Sequence, residues 1–286
     1  MYIDRILLPN ISDEYSNIYP ANIIYDLGRI ELPIKSNITL LYGSNGSGKS
    51  TLLNLIANKL GCDKKPAVDP KTEYNYFEGR IVDIFNEVAD NIRLSYKWNG
   101  WDEDELTCAK RLITSSEVLN YVSKKIEYNN KVSHALKDTW NFVDGFEWRE
   151  IDGSIKEGTA IVKRLTERAY CYKVSKKEKA IYSNGEEVLD YFENALEVAG
   201  VYLLDEPENC LSTVFQKRLA DYIYDLSLNF NCQFIIATHS PFFLSIKDAQ
   251  IINIDESPAE YCDDWRKLEN MQPYFELFSK DHMSKK

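Results

Sequence analysis

The chain has 286 residues, 44% of them hydrophobic, 28% charged and 13% aromatic, which supplies a sizeable core and excludes wholesale disorder. Forty-five acidic against 34 basic residues leave a net charge of -11, so a surface built broadly to coat phosphate backbones is disfavoured. No apolar run reaches the ~18 residues of a membrane span, and the start MYIDRILLPN lacks a basic stretch followed by a long apolar one; a cytoplasmic chain with no membrane partner is expected.

In chain order, the first sixty residues alternate short β-like runs with turn signals, at 3–8, 23–25, 30–34 and 38–42. Directly after the last comes GSNGSGKS, then TLLNLIANKL with apolar residues at 52, 53, 55, 56 and 60: strand, glycine loop, helix. From 61 to 180 the texture is more polar and less regular, and the segment is expected to be an inserted, mostly helical arm or lid. Within it, 109–113 reads as a strand and 115–126 as a helix opened by Thr114-Ser115-Ser116-Glu117. Regularity returns after 180, with helices at 185–198 and 212–227 and strands at 200–204, 233–238 and 250–254. Strands separated by helices predict an α/β fold with a mainly parallel sheet and flanking helices. Its core would come from 1–60 and 181–286, with the arm at 61–180 between them. Six cysteines, at 62, 108, 171, 210, 232 and 262, form no CxxC pair and have no histidine at ligand spacing, so they are expected to be reduced and mostly buried.

Gly43-Ser44-Asn45-Gly46-Ser47-Gly48-Lys49-Ser50 fits G-x-x-x-x-G-K-[ST] between a strand and a helix, followed by Thr51. Glycines let backbone N–H groups turn inward on phosphates, and the helix presents its positive end to the same anion. Lys49 would neutralise β/γ oxygens and Ser50 would ligate Mg²⁺. The run 201–206, VYLLDE, is an apolar strand ending in two carboxylates, which suits a metal role for Asp205 and a general-base role for Glu206. A further apolar strand carries His239 at its tip; parallel strands bring their carboxyl ends to one edge, so His239 is placed to meet a γ-phosphate or an attacking water. Ser183-Asn184-Gly185-Glu186 opens a helix with capping-box spacing, which is an ordinary helix start or a second phosphate-binding helix N-terminus.

This order of motifs resembles ABC-type ATPases. YSNGE is similar to their LSGGQ signature, and the LLDEPEN and FIIATHSPFFL wording resembles the soluble AAA-annotated branch with its RecF-like, SMC-like and OLD-like members. The resemblance covers about 1–60 and 181–278. It implies a P-loop NTPase fold with a Walker A loop at 43–51, ATP and Mg²⁺ as cofactors, and ATP hydrolysis in a nucleotide-gated homodimer. In that dimer two chains would meet head to tail, Ser183 and Gly185 of one acting on the γ-phosphate held by the other. It further implies a DNA-related or phage-defence process with a protein effector or nucleic acid as partner. The alternatives are an ATP sensor that recruits an effector while hydrolysing little, and an ATPase subunit of a transporter.

Two departures stand out. No glutamine precedes Gln216, so the glutamine that normally follows the first lobe is missing, with Ser115 to Glu117 as its stand-in; and Ser212 occupies the place of the transporter D-loop aspartate. The tyrosines at 15, 19 and 25 are equal candidates for stacking on adenine. The basic run from Lys163 to Lys179 reads as a solvated face or as a contact for nucleic acid, a partner or the nucleotide across the dimer, and the tryptophans at 98, 101, 140 and 148 read as core or arm packing or as base-stacking platforms.

Overall fold

The computed structural model describes residues 2–29, 31–64, 79–96, 108–125, 184–196 and 199–283. The chain opens with β1 (Ile3–Leu7), α1 (Ala21–Asp26), β2 (Glu31–Pro33), β3 (Ile38–Tyr42) and α2 (Lys49–Leu60). It continues through β4 (Asp63–Lys64), α3 (Gly79–Asn91), β5 (Arg93–Tyr96), β6 (Ala109–Thr114) and a helix α4 over 115–125. Then come α5 (Asn184–Ala195), β7 (Gly200–Asp205), α6 (Thr213–Asn229), β8 (Gln233–Ala237), α7 (Pro241–Leu244), β9 (Gln250–Asn253), β10 (Glu260–Cys262) and α8 (Gln272–Met283).

Seven strands form the main sheet in the order β10-β9-β3-β8-β7-β6-β4, all parallel except β10, which runs antiparallel to β9. β1, β2 and β5 form a separate antiparallel sheet. The expected α/β architecture, a mainly parallel sheet with flanking helices, is therefore what the chain adopts. β3 and β8 are buried at every position, the signature of parallel strands covered on both faces. Successive side chains alternate between two cores: Leu41, Leu203 and Ile235 join the core with α2, α3 and the small sheet, whereas Leu40, Leu204 and Ile236 join the one with α4, α5 and α6. Leu52, Leu53, Leu55 and Ile56 of α2 are wholly buried. Each contributes about 1.5–3 kcal/mol by leaving water, which seats the start of α2 firmly against the sheet. Gln233, buried at the start of β8, ties the two sheets together: its side-chain oxygen accepts from the N–H groups of Tyr2 and Ile3, and its amide donates to the Ile3 carbonyl.

Three expectations need correction. The apolar run at 23–25 is helical, not extended, because Ala21 and Ile24 face the core one turn apart while Ile23 packs on the glycine loop. The segment 61–180 is not wholly an inserted arm: β4 and β6 extend the main sheet, β5 completes the small one, and α4 packs into the second core. The stretch 126–180, with the basic run and Trp140 and Trp148, lies outside the described residues, as do Trp98 and Trp101. The cysteines, expected to be mostly buried, divide: Cys232 is buried, whereas Cys62, Cys108 and Cys262 are half-buried. No helix among the described residues is long and apolar enough to cross a membrane.

Candidate functional site: a cleft at the carboxyl edge of the sheet

Register fixes which residues meet. Thr114 lies opposite Asp205, Asp205 opposite Ala237 and Leu41 opposite Ala237, so β3, β6, β7 and β8 end along one edge. From that edge the chain leaves β3 into the glycine loop, and Gly46 (φ 87°) and Gly48 (φ 93°) adopt left-handed backbone that a side chain would oppose. A Cβ on Gly48 would also collide with Ile23, so α1 closes directly over the loop. Helix α2 then starts at Lys49, its first N–H groups pointing toward the loop's concavity.

Lys49 is 4% exposed, and its ammonium donates to the carbonyls of Gly43 (2.9 Å) and Ser44 (2.8 Å). The same Nζ stands 4.0 Å from Glu206 Oε1. The Ser50 hydroxyl donates to Asp205 Oδ1 at 2.8 Å. Burial pushes the Asp205 carboxyl up from 3.8 to about 6; the Ser50 hydrogen bond opposes this, the Glu206 charge adds to it and Lys49 opposes it. Glu206 sits at φ 46°, ψ 54°, a left-handed conformation costing about 1–2 kcal/mol in a residue with a Cβ. Its N–H donates to the Ala237 carbonyl (2.9 Å), and its Oε2 accepts from the Asn209 amide (2.7 Å). His239, two residues beyond β8, places Nδ1 3.9 Å from Glu206 Oε1. The sheet thus brings Lys49, Ser50, Asp205, Glu206 and His239 together.

Between loop and acids opens a cleft of about 550 Å³. The loop side contributes Asn45, Gly46 and Gly48 to Thr51, the strand side Glu206, and the first lobe Tyr19, Asn22 and Ile23. Tyr19 shares a hydrogen bond with Thr51 Oγ1 (3.1 Å). Tyr15 and Tyr25 are exposed and line no part of the cleft, so the three tyrosines are separable.

Other residues singled out above do not line it. Gly43, Ser44 and Ser47 sit beneath or beside it: the first two hold Lys49, and the Ser44 N–H and hydroxyl donate to Asp255 (2.8 and 2.9 Å). A Cβ on Gly185 would strike the Phe215 ring, so this glycine lets the start of α5 approach α6. Ser183 lies outside the described residues. Glu117 is no stand-in for the missing glutamine. It is buried, accepts from Arg111 (2.9 Å) and from the Tyr191 hydroxyl, and so ties β6, α4 and α5 together. Two acids were not anticipated: Asp255 beyond β9, and Glu208, which is buried beneath His239 and accepts from its N–H (2.8 Å). Both follow parallel strands ending at the same edge, and that was the available signal.

A strand, glycine loop and helix at the carboxyl edge of a parallel sheet, facing an acidic strand end, define a nucleotide-binding ATPase. The family described as "AAA domain" matches residues 24–197, more than half of the chain, and the chain belongs to it; "AAA ATPase domain" matches 191–244. The expected kinship with AAA-annotated ATPases and their ATP hydrolysis is thereby upheld. The lipoprotein-releasing system ATP-binding protein LolD of Buchnera aphidicola is 25% identical over 248 residues, 80% of this chain and 89% of that protein. Among solved structures, the Smc head domain of Pyrococcus furiosus, bound to the C-terminal domain of ScpA, aligns with a TM-score of 0.43 at 14% identity, covering 98% of this chain and 99% of that one. The SMC head domain of Thermotoga maritima aligns at 0.41 and 13%, covering 92% of this chain and 98% of that one.

Proposed function

We propose that this ATPase binds Mg·ATP in the cleft at residues 43–51 and hydrolyses it by in-line attack of water on the γ-phosphate, with Glu206 as the base. The observation that carries this is the convergence of Lys49, Ser50, Asp205 and Glu206 at one sheet edge, with Lys49 4.0 Å from Glu206 and Ser50 bonded to Asp205. Backbone N–H groups of 46–51 would cradle the phosphates, and Lys49 would exchange its two loop carbonyls for β/γ oxygens. Ser50 Oγ and Asp205 fit a magnesium ion: both are oxygen donors, and a carboxylate largely out of water beside a hydroxyl gains from a cation. When bound, the ion neutralises charge developing on the phosphate oxygens. Glu206 takes the proton of the attacking water, held in place by its strained backbone and by Asn209. His239 stands within reach of the same water. Tyr19 and Asn22, on the first-lobe wall beyond Thr51, suit the nucleoside end.

The active form in this reading is a head-to-tail homodimer, with Ser183 and Gly185 at the start of α5 acting across it on the partner's γ-phosphate. The order of the motifs supports it. The resemblance to RecF-like, SMC-like and OLD-like ATPases favours a DNA-related or phage-defence output through a protein effector or nucleic acid. The LolD relative favours a transporter subunit, but no glutamine precedes Gln216 and Glu117 is committed to Arg111 and Tyr191. The test is light scattering of Glu206→Gln with ATP and Mg²⁺. Dimers should form and should vanish on adding Ser183→Arg, with ATP binding kept; persistence of the dimer would remove the role across the interface.

A further inference from the structure

The first turn after β7 holds a third carboxylate. Glu208 lies in the 3₁₀ turn Pro207–Cys210 and is 4% exposed. Its Oε1 accepts from the Thr238 hydroxyl (2.6 Å) and the His239 N–H (2.8 Å), and stands 3.4 Å from His239 Nδ1. Glu206 Oε1 stands farther from the same nitrogen, at 3.9 Å. Neither His239 Nδ1 nor Glu208 Oε2, both buried, has a hydrogen-bond partner among the described residues. Burying a carboxylate costs several kcal/mol unless donors compensate, and two donors from a single turn leave half of this one unanswered. A shift of a few tenths of an ångström would turn the 3.4 Å approach into a charge-assisted hydrogen bond.

We infer that Glu208 is a positioning residue for hydrolysis: it receives Nδ1–H of His239, fixes the tautomer with Nε2 bare, and aims that nitrogen at the attacking water, whose O–H it can accept. Which imidazole nitrogen carries the proton is set by the partner of the other, and Glu208 is the nearer of the two carboxylates. The division of labour also explains the acids' differing environments. Glu208 is sealed under the β8 turn and bound to Thr238 and His239, while Glu206 borders the cleft and remains free to take a proton from water. The inference rests on the ATPase role given to His239 above.

The test uses the full chain and three variants: Glu208→Gln, His239→Ala and the double variant. Glutamine keeps an oxygen for Thr238 and the His239 N–H but removes the charge. Glu208→Gln should lower kcat about 10- to 100-fold with KM nearly unchanged. The double variant should be no slower than His239→Ala, because Glu208 acts through the ring. With ¹⁵N-labelled histidine, the parent should show His239 protonated at Nδ1 and bare at Nε2, and Glu208→Gln should show the two tautomers mixed. Losses that multiply in the double variant, or an unchanged ¹⁵N pattern, would overturn the inference. Parent-like turnover by His239→Ala would instead remove the ATPase role of His239, and the tautomer readout would still decide what Glu208 does to the ring. Should Glu208→Gln melt below the assay temperature, Glu208→Asp, which keeps the charge but draws it back from the ring, is measured the same way, with loss of the Nδ1–H tautomer expected and its retention overturning the inference.

Discussion

Asp205→Asn should make the nucleotide-free protein more stable and the nucleotide-bound protein less so. In the folded chain the Asp205 carboxyl is pushed from 3.8 to about 6, chiefly by burial. The folded state therefore holds this proton more tightly than the unfolded state. Between those two values folding takes up a proton, so stability falls as pH rises through the window, and above it the full cost is present. The shift corresponds to about 3 kcal/mol, an upper figure because water reaches part of the group. Asparagine has no proton to lose, and its oxygen still accepts from Ser50. Urea unfolding with chelator and without nucleotide, followed by tryptophan fluorescence, should find the variant about 2–3 kcal/mol more stable at pH 7.5 and nearly equal to the parent at pH 4. Adding Mg·ATP at pH 7.5 should reverse the order, because only the parent gains ligand stabilisation. A variant that is less stable without nucleotide at pH 7.5, or a difference that does not change with pH, would refute the reasoning.

Lys49→Ala removes the ammonium that now bonds Gly43 and Ser44, and should weaken ATP binding about 10- to 100-fold in equilibrium titration; unchanged affinity would place the phosphates elsewhere. Gly185→Ala drives a methyl into Phe215 and should cost about 1–3 kcal/mol in unfolding, relieved when Phe215→Leu is added; an equal loss in both backgrounds would mean the glycine serves something other than this contact. Glu117→Ala takes the buried carboxylate away from the Arg111 guanidinium, which keeps the Tyr191 hydroxyl and the Ala195 carbonyl, and should cost about 3–5 kcal/mol; a loss below 1 kcal/mol by thermal unfolding would show the network to be dispensable.

Much of this was legible because parallel strands covered on both faces are apolar throughout, and β3, β7 and β8 stand out between turn signals. The loop and the strand-end residues Asp205, Glu206 and His239 followed from the convergence of strand ends. What was not legible depends on neighbours distant in sequence. The apolar run at 23–25 is too short to show a period, and its helical form is decided by the core beneath Ile24 and the bare Cα of Gly48 against Ile23. β5 is a strand because β1 lies beside it, nearly ninety residues earlier in the chain. Glu117 looked like a site residue on the edge of β6, and only the folded position of Tyr191 shows it turned inward. Glu208 and Asp255 look like ordinary surface acids until β8 and β9 bring the His239 and Ser44 backbones to them.

The central claim, that the carboxylate at 206 drives cleavage of a triphosphate seated on the loop at 43–51, is tested most directly by phosphate release from the parent and Glu206→Gln under saturating Mg·ATP. The parent should turn over, and the variant should bind ATP equally well yet release phosphate at least about 100-fold more slowly. Equal rates from the two proteins would contradict it.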